Sequence, residues 1–139
     1  MKTKMKTIVY YESLFSWLFL QPLTRCYIRR LKREFDDIKF ERRSWYSDKS
    51  LDTTVIGLIG HSFGAGSLLY RAMEYPYVFL RNTKFIINID PRVCFGSKLF
   101  YNSLKTTVYN FYSNKYGFVI FRNDRIYNEI KLIIERHTK

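Results

Sequence analysis

The sequence predicts an α/β fold in which helices flank a mostly parallel sheet of about five or six strands. Strand-like segments alternate with helix-like segments, and this alternation within one domain is typical of a parallel sheet. Residues 55–59 form an apolar run of the kind found in strands that are buried on both faces. A length of 139 residues suits a single domain, 1–139, with a substantial core.

The first half of the chain supplies two strands and one helix. Residues 7–11 (TIVYY) read as the first strand, and residues 38–45 alternate well enough for the second. Between them, a helix is predicted over 22–35, because Pro22 suits a first turn and apolar side chains recur at intervals of four. Those side chains are Leu23, Tyr27, Leu31 and Phe35, with Arg25, Arg29, Lys32 and Arg33 on the opposite side. The pattern predicts a helix that covers the sheet and has a basic outer face, or alternatively a helix that lies on a membrane surface.

The second half begins with a polar turn at 48–52 and a buried strand that stops at Gly60. Apolar residues at helical spacing then predict a helix that ends at Tyr75-Pro76. Further strands are predicted at 84–90 (KFIINID), 106–112 and 118–121, with turn residues at 114–117 and an irregular stretch at 92–105. The last helix is predicted over 125–137, where Ile126, Ile130, Ile133, Ile134 and His137 share one face.

A Gly-x-Ser-x-Gly motif, Gly60-His61-Ser62-Phe63-Gly64, joins the buried strand to the next helix. A strand that reverses into a helix within about three residues is strained, so the positions that flank the serine tolerate almost no side chain. This arrangement holds the Ser62 hydroxyl at the carboxyl end of the sheet. A glycine-rich turn that binds phosphate is the alternative, although the lysine of a P-loop does not follow.

At this motif the sequence resembles the α/β-hydrolase family, whose nucleophile elbow reads in the same way. The resemblance implies a minimal hydrolase-like core without a lid domain. It also implies a serine hydrolase, similar to an esterase or lipase, that cleaves a carboxylic ester or thioester through an acyl-enzyme on Ser62. A small-molecule acyl substrate is then the expected partner, and neither a cofactor nor a metal is implied.

The chain contains two histidines that could activate Ser62. His61 precedes the serine, where a side chain normally points away from the hydroxyl, which leaves His137 as the base. Asp90 follows the strand after the elbow, and we favour it as the carboxylate that orients His137. Asp124 is the alternative acid, but a helix from there to His137 would hold the two about 20 Å apart. The chain order Ser62, Asp90, His137 matches that of the family. His137 also suits a purely structural place in the last turn of its helix.

The resemblance further implies an oxyanion hole made of backbone N–H groups. Phe63 would supply one, and the loop after the first strand, at Tyr11 and Glu12, would supply the other. The His-Gly pair that usually marks this loop is missing here. Tyr11, Leu14, Phe15 and Phe63 are candidates for the walls of an apolar acyl site.

The net charge of +12 suggests a rival function. A hydrolase fold that has lost its chemistry could serve as a basic module that binds anionic surfaces or nucleic acid. No nucleic-acid motif accompanies the basic clusters, so we favour a solvated surface and expect no nucleic-acid partner. The sequence does not indicate an oligomeric state. Two cysteines without a partner pattern, and no recognisable signal peptide, predict a cytoplasmic protein.

Overall fold

A computed structural model describes residues 5–12, 21–44, 51, 53–61, 82–89, 106–111 and 124–138. These residues form five strands and two helices. In chain order they are β1 (Lys6–Tyr11), α1 (Gln21–Glu34), β2 (Ile38–Arg43), β3 (Val55–His61), β4 (Phe85–Ile89), β5 (Thr107–Phe111) and α2 (Asp124–Thr138). The predicted helix after residue 62 and the predicted strand at 118–121 lie outside the described residues.

The five strands form one parallel sheet in the order β2-β1-β3-β4-β5. The expectation of an α/β fold with a parallel sheet is therefore confirmed. From β1 the chain continues to one side of the sheet, to β2, whereas from β3 it continues to the other side, to β4 and β5. This reversal between β1 and β3 is a topological switch point, and the crevice outside the carboxyl ends of such strands is where open α/β sheets bind ligands.

The central strands are buried because their sequences are apolar on both faces. All seven residues of β3 and all five of β4 are buried, as are five of the six in β1. The outer strands β2 and β5 contain charged or polar side chains as well as apolar ones, and their residues are mostly only partly buried. The register between β1 and β3 shifts near the amino end, because Thr7 pairs with Val55 whereas Ile8 pairs with Gly57. Ile56 therefore forms an irregularity in β3.

Both helices pack on the same face of the sheet and touch each other. The rings of Tyr27 on α1 and Tyr127 on α2 meet edge to face with centroids 5.6 Å apart, and Arg30 lies 3.7 Å from the centroid of Tyr127. The residues that form the shared core are Ile8, Tyr10, Tyr27, Leu31, Phe35, Ile38, Ile56, Ile59, Phe85, Ile87, Ile89, Ile126, Tyr127, Ile130, Ile133 and Ile134. The isoleucines of the stripe predicted for α2 therefore face the sheet, as do Tyr27, Leu31 and Phe35 of the stripe predicted for α1. Leu23, the first residue of that stripe, is instead 43 % exposed.

Under α2, Gly57 makes room for an aromatic ring. Gly57 on β3 is in register with Phe85 on β4, and a Cβ added at Gly57 would collide with the far end of the Phe85 ring. The ring of His137 stacks on Phe85 from the helix side, with centroids 5.0 Å apart and planes 27° apart. Phe85 is thus held between a glycine and an imidazole.

None of the helices that the structure describes is both long enough and apolar enough to cross a membrane.

Candidate functional site at the carboxyl edge of the sheet

The predicted nucleophile and acid follow the ends of two neighbouring strands. β3 ends at His61, directly before Ser62, and β4 ends at Ile89, directly before Asp90. His61 and Ile89 are paired in the register of these two strands. The structure therefore brings the residues that precede Ser62 and Asp90 side by side at the carboxyl edge. Ser62, Phe63 and Asp90 themselves lie outside the described residues, as do Leu14 and Phe15.

Glu12 is a charged residue buried at this edge. Its side chain is 0 % exposed, and Nε of Arg42 lies 3.1 Å from its Oε1. Within the described part of the chain, neither carboxylate oxygen has a donor in good hydrogen-bond alignment. Burial raises the pKa of Glu12 to about 7, although the nearby charges of Arg42 and Arg25 oppose the shift.

The backbone of Glu12 continues the pairing of β1 with β2. Its N–H donates to the carbonyl oxygen of Arg43 at 2.9 Å. This is one of the groups predicted for the oxyanion hole, and the hydrogen bond to Arg43 already engages it. The prediction did not anticipate this hydrogen bond because sequence pattern alone gave no register between β1 and β2. Glu12 instead contributes a buried carboxylate, which was not predicted from the sequence.

His61 and Glu12 follow the last registered pair of β1 and β3, which is Tyr11 with Gly60. Glu12 comes directly after β1, and His61 is the last residue of β3. Tyr10 and Ile59, which are in register two residues earlier, both belong to the core under the helices. Because side chains alternate along a strand, Glu12 and His61 share that same face. His61 is 2 % exposed.

Tyr11 is oriented by a separate polar group. Its hydroxyl accepts a hydrogen bond from Nη1 of Arg43 at 3.4 Å, and Arg43 also forms an ion pair with Glu41 at 3.3 Å. Tyr11 is fully buried. The ring of Tyr11, which was predicted to line an acyl site, is therefore buried in the protein.

His137 lies toward the other end of the sheet. Its ring stacks on Phe85, the first residue of β4, and its Nε2 lies 3.0 Å from the hydroxyl of Tyr109. Ile89 lies four residue steps beyond Phe85, which is about 13 Å along a parallel strand. The structure thus does not bring His137 to the edge where Ser62 and Asp90 follow, and the predicted triad is at odds with this placement.

The surroundings of His137 favour its neutral form. Arg136 donates to the hydroxyl of Tyr109 at 3.2 Å, which leaves that hydroxyl able to donate to Nε2 of His137. Burial lowers the pKa of His137, and the positive charges of Arg136 and Lys84 lower it further. The stripe of isoleucines on α2, which shares one helical face with His137, indicates from the sequence that His137 faces the core.

Asp124, the alternative acid, is the first residue of α2 and is well exposed. Its Oδ1 lies 3.1 Å from Nη1 of Arg30, with the two side chains 75 % and 46 % exposed. α2 runs without interruption from Asp124 to Thr138, so Asp124 and His137 lie about 20 Å apart, as the helical rise requires. The structure does not bring this pair together.

Among the described residues, no three His, Cys, Asp or Glu side chains are grouped so that they could bind a metal ion. Comparisons of the chain with models of protein families, with curated proteins and with solved structures found no match.

Proposed function

We propose that this protein is a serine hydrolase that cleaves a carboxylic ester or thioester through an acyl-enzyme on Ser62. One observation supports the proposal above all others. β3 is the buried strand beside the switch point, and it ends at His61, so the Gly-x-Ser-x-Gly motif begins at the carboxyl edge of the sheet. Ligands of open parallel sheets bind at this edge.

The proposed chemistry follows from the weakness of a serine hydroxyl as a nucleophile. A base must accept the proton of Ser62 while Oγ attacks the carbonyl carbon, and backbone N–H groups such as that of Phe63 would stabilise the oxyanion. Asp90 remains the preferred acid because it follows β4, the neighbour of β3. The proposal does not assign the base to His137, because His137 lies against Phe85, at the other end of β4.

Labelling with a fluorophosphonate, followed by measurement of the intact mass, tests the nucleophile. We expect one adduct per chain in the native protein and none in Ser62→Ala. The matched control is Ser44→Ala, which removes the hydroxyl of a buried serine directly after β2. A folded native protein that forms no adduct, or an adduct that survives in Ser62→Ala, would refute the proposal. Comparison of the labelling rates of Asp90→Asn and Asp124→Asn would then identify the acid.

A second candidate function is a basic module without catalysis that binds an anionic surface or nucleic acid. The observation that favours it is the outer face of α1, where Arg25, Arg29, Lys32 and Arg33 are all exposed and the first turn has no acidic residue. Binding to anionic vesicles or to a DNA duplex should then weaken steeply between 50 and 200 mM salt, by about tenfold or more. The double variant Arg29→Glu, Arg33→Glu should lose that binding, whereas Lys39→Glu on β2 should keep most of it.

A further inference from the structure

The exposed sides of α1 and α2 lie next to each other on one face of the molecule, and we call them the outer helix surface. Two ion pairs link the helices. Arg30 pairs with Asp124 at 3.1 Å and, further along both helices, Glu34 pairs with Lys131 at 3.3 Å. The helices therefore run side by side in the same direction, and each is about 20 Å long.

The outer helix surface is strongly cationic. Among the exposed residues of α1 and α2, seven carry a positive charge and three carry a negative charge. Two of the three acids, Glu34 and Asp124, are engaged in the ion pairs between the helices. Within the ranges that the structure describes, no ion pair compensates Arg29, Lys32 or Arg33. The exposed cations are Arg25, Arg29, Arg30, Lys32, Arg33, Arg125 and Arg136.

This surface also carries exposed leucines. Leu132 is 53 % exposed, and helical spacing places Arg125 and Arg136 on its side of α2, with Glu129 as the acid nearby. An exposed leucine alone is ordinary. Of the three large apolar side chains that are exposed among the described residues, however, two lie on these helices, Leu132 and Leu23. Leucine among arginines is typical of helices that lie at a membrane interface.

The composition of the outer helix surface favours a lipid partner over a nucleic acid. A DNA duplex would be held through its phosphates by the cations, and Leu132 would gain nothing from that contact. An anionic lipid surface uses both features, because its head groups attract the cations while an apolar side chain enters the interface. The main apolar face of each helix is buried against the sheet, so the contact with lipid is shallow and the charges supply most of the affinity.

We propose that the outer helix surface docks this protein on anionic lipid membranes, with the exposed cations against the head groups and Leu132 in the interface. This inference rests on the second candidate function and deepens it. It commits that function to a lipid partner, and it adds α2 and Leu132 to the basic face of α1. Docking of this kind involves no step of ester hydrolysis.

Co-sedimentation of the full chain with vesicles tests the role of the charges. Vesicles of phosphatidylcholine with about 30 % phosphatidylserine should bind the protein at least about tenfold more tightly than vesicles of phosphatidylcholine alone. Arg29→Gln should weaken binding about fivefold, which is the usual contribution of one cation near such a surface. The matched control is Lys39→Gln. Lys39 is exposed on β2 between Ile38 and Phe40, which face the core, so it lies on the opposite face of the sheet and should matter by less than about twofold.

Leu132→Gln distinguishes a lipid partner from a nucleic acid. We expect the affinity for anionic vesicles to fall about fivefold, because part of a leucine side chain no longer enters the interface. The affinity for a DNA duplex of about 20 base pairs should stay within about twofold. Met5→Gln is the matched control, since Met5 is 49 % exposed but precedes β1, and it should change neither affinity. Circular dichroism and urea unfolding check that each variant is folded.

The outcomes separate this inference from the function on which it rests. Binding to the duplex without binding to anionic vesicles would overturn the lipid partner and leave the second candidate function standing. Binding to neither would refute both. Binding to vesicles that Leu132→Gln leaves unchanged, or that Lys39→Gln weakens as much as Arg29→Gln does, would overturn the assignment of the outer helix surface.

Discussion

Gly57 offers the sharpest test of the packing between β3, β4 and α2. In Gly57→Ala, the new Cβ would occupy the space of Cζ, Cε1 and Cε2 of Phe85, which is fully buried. The ring cannot move toward α2, because the imidazole of His137 stacks on it at 5.0 Å between centroids. Overpacking of a core costs about 1–3 kcal/mol, and with both sides of the ring blocked we expect about 3 kcal/mol.

Urea unfolding measures this loss directly. With a slope of about 2 kcal/mol/M, a loss of about 3 kcal/mol lowers the midpoint by about 1.5 M. The matched control is Thr107→Val, because Thr107 is the register partner of Phe85 on β5 and is exposed. A substitution of equal volume there should change stability by less than about 0.5 kcal/mol.

A double-mutant cycle identifies the cause of the loss. Phe85→Leu removes the atoms that the new Cβ would meet, so Gly57→Ala should cost about 1–2 kcal/mol less in that background. If the two losses simply add, or if Gly57→Ala alone is neutral, the close approach of Phe85 to Gly57 is not what requires glycine at this position, and the reasoning fails.

Three further predictions concern ionisable side chains. The pKa of His137 is lowered in the folded protein, so its contribution to stability is present above the unfolded value near 6.5 and is lost as the pH falls below it. The difference in urea midpoint between wild type and His137→Gln should therefore shrink between pH 7.5 and pH 5, and a difference that grows would contradict the burial of a neutral ring. The pKa of Glu12 is raised from 4.5 to about 7, so its contribution to stability depends on pH in the opposite direction. The contribution is complete below pH 4.5 and is lost as the pH rises through about 7. The free energy of unfolding that is lost amounts to about 3 kcal/mol. In urea titrations at increasing pH, Glu12→Gln should abolish this decrease in stability, and a decrease that persists in the variant would show that another group causes it. Asp124→Asn should cost less than about 1 kcal/mol, because its ion pair with Arg30 is exposed, and 0.5 M NaCl should reduce the loss; a larger, salt-independent loss would contradict a surface pair.

The sequence predicted the described elements to within about two residues. Periodicity in β3 and in the two helices is a local property, since each pattern reflects which face of its own segment is apolar. The predicted helix 22–35 was found at Gln21–Glu34, and the predicted helix 125–137 at Asp124–Thr138. The strand predicted at 38–45 ends earlier, at Arg43.

The candidate site was less accessible to sequence reasoning. The motif at 60–64 correctly indicated the end of a buried strand, because a glycine-flanked turn is encoded within five residues. The partners of that turn are not local. Which base and which carboxylate stand near it depends on how helices and strands far apart in the chain are placed on the sheet.

The sequence by itself thus determined the class of fold, the extents of the described elements and the position of the motif after a buried strand. The tertiary structure alone decided the strand order, the pairing of Tyr11 with Gly60, and the stacking of His137 on Phe85. The physical reason is the range of the interactions. Hydrophobic periodicity acts over one or two turns, whereas Tyr11 and Gly60 are 49 residues apart and pair because two strands share one register.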